Sequence, residues 1–159
     1  MRWAVDLSPG WRRPWIAVTH LGGLWCSTAV AGLPLLAGGA LRAAAVRAAL
    51  GLVISHAMVQ VVKRNVLRER PSSAVGAEAL IANPDAFSFP SGHATAAMAV
   101  AFAYALAFPG WGAPLFLLAM AVGVSRVCLG VHYPGDVLAG QAIAILTDLC
   151  VVAAGRWPV

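Results

Sequence analysis

Polar positions are spread very unevenly along the chain. From Ala86 to Ser125 forty residues pass without an Asp, Glu, Lys or Arg. Between Pro14 and Val62 only Arg42 and Arg47 are charged, and between Val137 and Gly155 only Asp148. Lys63 to Asp85, in contrast, holds seven charges in 23 residues. A helix that crosses a bilayer needs about 20 mostly apolar residues, and the apolar runs have that length. They predict spans at 16–39, 43–62, 91–108, 111–130 and 134–154. Gly22, Gly23, Gly32 and Pro34 inside the first run suit close helix approach and a tolerated kink in lipid. Pro109-Gly110 reads as a tight turn. Trp3, Trp11 and Trp15 alternate with Arg2, Arg12 and Arg13, and both residue types concentrate where lipid meets water. Residues 1–15 therefore read as an interfacial helix, and 63–90 as a polar loop. The expected fold is all-α: one domain, a polytopic transmembrane helix bundle of about five spans.

Spans alternate direction. The loop after the second span, the start of the third, the end of the fourth and the start of the fifth thus fall at one membrane face. The polar residues that could carry chemistry lie in those four places.

Composition agrees. Sixty per cent of the 159 residues are hydrophobic and 11% charged, against about 25% charged in soluble chains. This excludes a disordered chain and most soluble enzymes. The net charge of +5 comes from arginines that flank apolar runs, so no nucleic-acid partner is expected. Cys26, Cys128 and Cys150 form no CxxC and read as core-filling residues. The first fifteen residues contain no apolar stretch of signal-peptide type, and no cleavable leader is expected. Arg47 near the start of the second span is expected to snorkel to the interface.

Three clusters carry candidate chemistry. Lys63 and Arg70 are seven apart, which puts them on one face if the helix continues, and Pro71 ends it. Two such cations suit a phosphate, although, taken alone, a positively charged helix end at the lipid headgroups is the better explanation. Pro90-Ser91-Gly92-His93 precedes an apolar run. Ser91 reads as an N-cap, and the free N–H groups beyond it form an anion site with His93 in the first turn. An ordinary helix cap with an interfacial His is the plainer alternative. The third cluster is Ser125-Arg126, His132 and Asp136. A carboxylate four residues from an imidazole can set its tautomer. An arginine ending an uncharged span is a functional candidate by default, with a structural His–Asp cap and a snorkelling Arg as the alternative.

Together the clusters supply three cations, two histidines, a carboxylate and a helix N-terminus. These parts suit phosphoryl transfer through a phosphohistidine, one histidine attacking phosphorus and the other protonating the leaving oxygen. No residue spacing suggests a metal site, and no cofactor is expected.

Lys63-x6-Arg70-Pro71, Pro90-Ser91-Gly92-His93 and Ser125-Arg126-x5-His132-x3-Asp136 resemble the three-part signature of the type 2 phosphatidic acid phosphatase (PAP2) superfamily. That superfamily includes membrane lipid phosphate phosphatases and, more distantly, vanadium haloperoxidases. The resemblance implies His132 as nucleophile, Asp136 as its orienting partner and His93 as general acid. It implies Lys63, Arg70 and Arg126 as phosphate ligands, helped by Ser91 and Gly92. Members commonly have six spans with the first cluster ending the third, whereas here it ends the second.

The expected activity is metal-independent hydrolysis of a lipid phosphomonoester or diphosphate in a bacterial inner membrane. The open substrates are polyprenyl diphosphate, a polyprenyl-linked sugar phosphate, phosphatidylglycerol phosphate and phosphatidic acid. A lipid phosphotransferase and a non-catalytic lipid transporter are the alternatives. The partners are the lipid substrate and membrane lipids, and the oligomeric state stays open. With the presumed ligands set aside, the active face carries more Arg and Lys than the other, which favours a cytoplasmic site. His56, seven before Lys63 and about 10 Å deeper along the helix, is expected to bond a neighbouring helix or to line the substrate path. His20 is expected to bond a neighbouring helix, and Asp148 to be an interfacial or helix-packing group.

Overall fold

A computed structural model describes residues 9–74, 81 and 86–155. Most of the interfacial segment expected at 1–15 lies outside these residues. The described residues form seven α-helices and no strand: α1 Pro9–His20, α2 Leu24–Gly32, α3 Gly39–Val66, α4 Pro71–Ala74, α5 Gly92–Ala107, α6 Gly112–Cys128 and α7 Pro134–Gly155. Short 3-10 turns at Leu33–Leu36 and Pro109–Trp111 join α2 to α3 and α5 to α6. By length and composition, Gly10–Leu36, Gly39–Ala74, Pro109–Cys128 and Pro134–Gly155 can each cross a membrane. The protein is an integral membrane protein.

α5 is the central helix and packs against α3, α6 and α7. Its buried face is built from small side chains, among them Ala94, Thr95, Ala99 and Ala103, which let helix backbones approach closely in lipid. The large apolar side chains lie on the outside instead. Val61, Leu117, Leu138 and Leu146 are exposed, as befits a surface whose solvent is hydrocarbon. α5 has 16 residues, about 24 Å, less than the roughly 30 Å hydrocarbon core.

The first expected span is broken. α1 ends at His20, and Leu21, Gly22 and Gly23 turn back through N–H bonds to Val18, Thr19 and His20. A Cβ at Gly22 would stand 2.6 Å from the His93 carbonyl oxygen. The break therefore brings this turn against the first turn of α5, a contact only glycine permits. α1 then packs on α6, and α2 on α3 and α5.

α3 ends earlier than the spacing of its cations suggests. Leu67 adopts a left-handed conformation, φ 49°, and closes the helix with its N–H on the Lys63 carbonyl. Lys63 is on the last turn of α3, whereas Arg70 lies beyond it in irregular chain. The two do not share a helix face as expected, and it is the reversal at Leu67 that returns Arg70 to the site.

Two ionisable side chains are buried in the bundle. Arg47 is 5% exposed and Asp148 2%. The Asp148 carboxylate packs against Gly51, one turn along α3 from Arg47. Arg47 thus stays inside the bundle and does not snorkel outward. Asp148 is a helix-packing group, remote from the chemistry described below.

Candidate active site

Backbone hydrogen bonds tie the three sequence clusters into one unit. Ser91 N donates to the Asp136 carbonyl, joining the start of α5 to the start of α7. Ser72 N donates to the Gly130 carbonyl, joining α4 to the turn after α6. Within that turn Val131 N and His132 N both donate to the Arg126 carbonyl, so one residue carries a cation and also holds the imidazole in place. Ser88 ties the remaining segment down, its N–H donating to the Arg68 carbonyl at 2.8 Å and its hydroxyl to Glu69 O at 3.0 Å.

α7 crosses the start of α5 at very close range. A Cβ at Gly140 would lie 2.6 Å from Thr95 Oγ1 and 2.7 Å from Ser91 O. Ser91 is the N-cap of α5 and is fully buried, with Ala94 N donating to its hydroxyl at 3.5 Å. It shapes the helix start from behind, while Gly92 and His93 face the open space.

That space is a cavity of about 580 Å³. Lys63, Arg70, Gly92, His93, Arg126 and His132 share its wall. Six of the eight residues singled out in the sequence thus meet there, while Ser91 and Asp136 stand one layer behind. Lys63, Arg70 and Arg126 are nearly fully buried. Lys63 Nζ donates to Phe87 O at 3.2 Å, and Arg126 Nη1 donates to Thr19 Oγ1 of α1 at 2.9 Å.

The hydrogen bonds settle the tautomer of His132. Arg70 Nη1 donates to Val131 O at 2.9 Å and lies 3.3 Å from His132 Nε2. A guanidinium has only donors, so Nε2 must present its lone pair. The proton then sits on Nδ1, which faces Asp136 Oδ2 at 3.6 Å, an ion-pair distance longer than a hydrogen bond. Burial holds the imidazole down at a pKa of about 4. The Asp136 carboxylate opposes that shift, and Arg126, Arg70 and Lys63 add to it. His132 is therefore a neutral base near pH 7, with its Nε2 lone pair on the cavity side.

Asp136 has two stronger partners than His132. Tyr133 N donates to Oδ2 at 2.8 Å and Arg68 Nη1 to Oδ1 at 2.9 Å. The Arg68 guanidinium also stacks 4.1 Å from the centre of the Tyr133 ring. Neither Arg68 nor Thr19 stands out in the sequence. Arg68 lies in a run of cations with nothing to distinguish it, and Thr19 is a lone hydroxyl in an apolar run, 107 residues from its partner.

Toward the membrane interior the cavity wall continues through Gln60, Ala57, His56, Val53 and Leu52 of α3 and Leu24, Ser27 and Thr28 of α2. His56 therefore lines the cavity, and its ring nitrogen pairs with Gln60 on its own helix rather than with a neighbouring one. His20 lies exposed at the end of α1. Among the described residues no group of three His, Cys, Asp or Glu side chains is placed to hold a metal ion.

Comparison with known proteins agrees with this architecture. The "PAP2 superfamily" family model matches residues 44–157. Over 130 residues the chain is 40% identical to a decaprenylphosphoryl-5-phosphoribose phosphatase of Mycolicibacterium smegmatis, covering 78% of this chain and 68% of that protein. It is 37% identical over 106 residues to the Mycobacterium tuberculosis protein of the same name, covering 66% of this chain and 58% of that one. The crystal structure of Aquifex aeolicus LpxE has the same fold, with a TM-score of 0.80 at 23% identity, over 96% of this chain and 92% of that one. With this match running through all three clusters and the fold shared along nearly the whole chain, the chain belongs to the PAP2 superfamily.

Proposed function

We propose that the chain is a lipid phosphate phosphatase of a bacterial inner membrane, which removes phosphate from a polyprenyl-type or phospholipid substrate through a phosphohistidine. Lys63, Arg70 and Arg126 bind the phosphate oxygens, together with the backbone N–H groups at the start of α5 around Gly92. Their three charges offset the negative charge that spreads over the phosphoryl group in the transition state. Ser91 contributes as the cap that aims those N–H groups.

The incoming phosphate takes over the Arg70 guanidinium and leaves His132 Nε2 free. Nε2 attacks phosphorus, the P–N bond forms, and the bond to the lipid oxygen breaks. His93 gives its proton to that departing oxygen. Asp136 faces the Nδ1–H of His132 and stabilises the positive charge the ring acquires. A water then attacks the phosphohistidine, His93 takes its proton, and the P–N bond breaks to release inorganic phosphate.

The observation that carries this reading is the contact of Arg70 with His132 Nε2 inside a cavity that His93, Lys63 and Arg126 also line. A nucleophilic nitrogen whose lone pair is held by a phosphate-binding arginine, beside two further buried cations, is an arrangement for attack on a phosphoryl group. The relatives' names add support for a polyprenyl-linked substrate. The decisive test is phosphate release from a panel of lipid phosphates in detergent with EDTA present. Wild type is expected to turn over and His132→Ala to lose all activity with folding retained. Near-full activity in His132→Ala would overturn the mechanism. Labelled phosphate moving to a second lipid would identify a phosphotransferase instead.

We place the site at the cytoplasmic face, because the cations outside the site are more numerous there. Ser73 is exposed beside the site. A cysteine introduced there, in a background lacking Cys26, Cys128 and Cys150, should react with an impermeant thiol reagent only in inverted vesicles.

A further inference from the structure

One wall of the cavity changes character along α3. Lys63, Gln60, Ala57, His56, Val53 and Leu52 follow one another at helical spacing, over eleven residues or about 16 Å. The wall carries a cation at Lys63, polar side chains at Gln60 and His56, and apolar ones at Val53 and Leu52. Such a sequence matches a ligand that is anionic at one end, polar in its middle, and apolar beyond.

The polar middle is chemically specific. Gln60 Nε2 donates to His56 Nε2 at 3.2 Å, which leaves the proton of His56 on Nδ1. The pair then has one uncommitted donor, His56 Nδ1–H, and one uncommitted acceptor, Gln60 Oε1, since neither atom has another partner among the described residues. A hydroxyl group donates and accepts at once and can satisfy both. His56 also lies against the start of α5, with its Cε1 3.9 Å from the position of a Cβ on Gly92, so this pair adjoins the phosphate-binding turn. Ser27 of α2 is 3% exposed, lines the same space, and its hydroxyl has no hydrogen-bond partner among the described residues. A buried hydroxyl of that kind costs free energy unless something bonds to it.

We infer that His56 and Gln60, with Ser27 of α2, form a hydroxyl-recognising subsite that selects lipids whose scissile phosphate is carried on a unit with a free hydroxyl, such as a sugar or a headgroup glycerol, and not directly on the lipid chain or on a second phosphate. This rests on the proposed phosphatase activity. A second phosphate at this level would meet no Lys or Arg of its own, because those on the cavity wall are Lys63, Arg70 and Arg126, and these are engaged by the first. A simple alkyl phosphate would leave the pair and Ser27 unbonded.

The test compares kcat/KM for phosphatidylglycerol phosphate and a polyprenyl-linked ribose phosphate with that for farnesyl phosphate and farnesyl diphosphate, in wild type, His56→Ala, Gln60→Leu and Ser27→Ala. Wild type should prefer the hydroxylated pair, and the ratio of hydroxylated to hydroxyl-free substrate should fall about tenfold or more in His56→Ala and Gln60→Leu, and less in Ser27→Ala. A ratio is insensitive to partial misfolding, which lowers both activities together. An unchanged ratio, or a wild type that prefers farnesyl diphosphate, would overturn the subsite and leave the phosphatase reading intact. Absence of phosphate release from every lipid by wild type would overturn both.

Discussion

Arg68 donates to Asp136 Oδ1 at 2.9 Å, on the carboxylate oxygen opposite the one that faces His132. The carboxylate is fully buried, and a buried carboxylate needs such partners to remain charged. Arg68, braced on the Tyr133 ring, is a positioning residue for the His132–Asp136 pair. Arg68→Ala should lower kcat about three- to tenfold with little change in KM, because the Arg68 side chain is itself partly exposed and its charge screened. Asp136→Asn should cost about a hundredfold or more, since it removes the charge that stabilises the His132 cation. Steady-state kinetics with KM and kcat separated decide this, and a change in KM alone would assign Arg68 to substrate binding.

Thr19 holds one of the proposed phosphate ligands from a different helix, accepting from Arg126 Nη1 at 2.9 Å. Thr19→Val keeps the shape and removes the acceptor, at a cost of about 1–2 kcal/mol. The expected result is a rise in KM for the lipid phosphate of roughly fivefold or more, with Thr19→Ser close to wild type. Equal kinetics for Thr19→Val and Thr19→Ser would show that Arg126 does not depend on this contact.

The depressed His132 pKa sets a direction for stability against pH. The folded value is about 4 and the ordinary value 6.5. Between these pH values the unfolded chain binds a proton that the folded chain does not, so stability falls as pH drops from about 6.5 toward 4. Above 6.5 this residue contributes no pH dependence. Thermal midpoints in detergent should fall between pH 7 and 4.5, and fall less in His132→Gln. The acid limb of kcat/KM in wild type should also lie well below pH 6.5.

Gly140 sets the approach of α7 to the start of α5. An alanine there would place Cβ 2.6 Å from Thr95 Oγ1 and 2.7 Å from Ser91 O, and the second of these is backbone that cannot rotate aside. Gly140→Ala should lower stability by about 1–3 kcal/mol and reduce activity with it, since Ser91 N is bonded to the first turn of α7. Thermal unfolding and phosphate release measured on the same preparation check this.

The sequence by itself determined the membrane character, the helical class and the residues that could form a site. Transfer into lipid is nearly additive over a run of residues, so hydropathy along the chain is enough to locate apolar helices. The chemistry-bearing side chains could be named because charges are scarce here and stand out against apolar runs. Only the tertiary structure decided how these residues meet. Lys63 and Arg70 converge through a left-handed turn at Leu67, not along one helix face. Thr19 supports Arg126, Arg68 supports Asp136, and His56 pairs with Gln60 on the cavity wall. Arg47 and Asp148 are buried in the bundle. These relationships join residues far apart in the chain or depend on where a helix stops. They are fixed by close packing of small residues such as Gly22 and Gly140, and a one-dimensional pattern does not record which backbones approach to within a hydrogen-bond length.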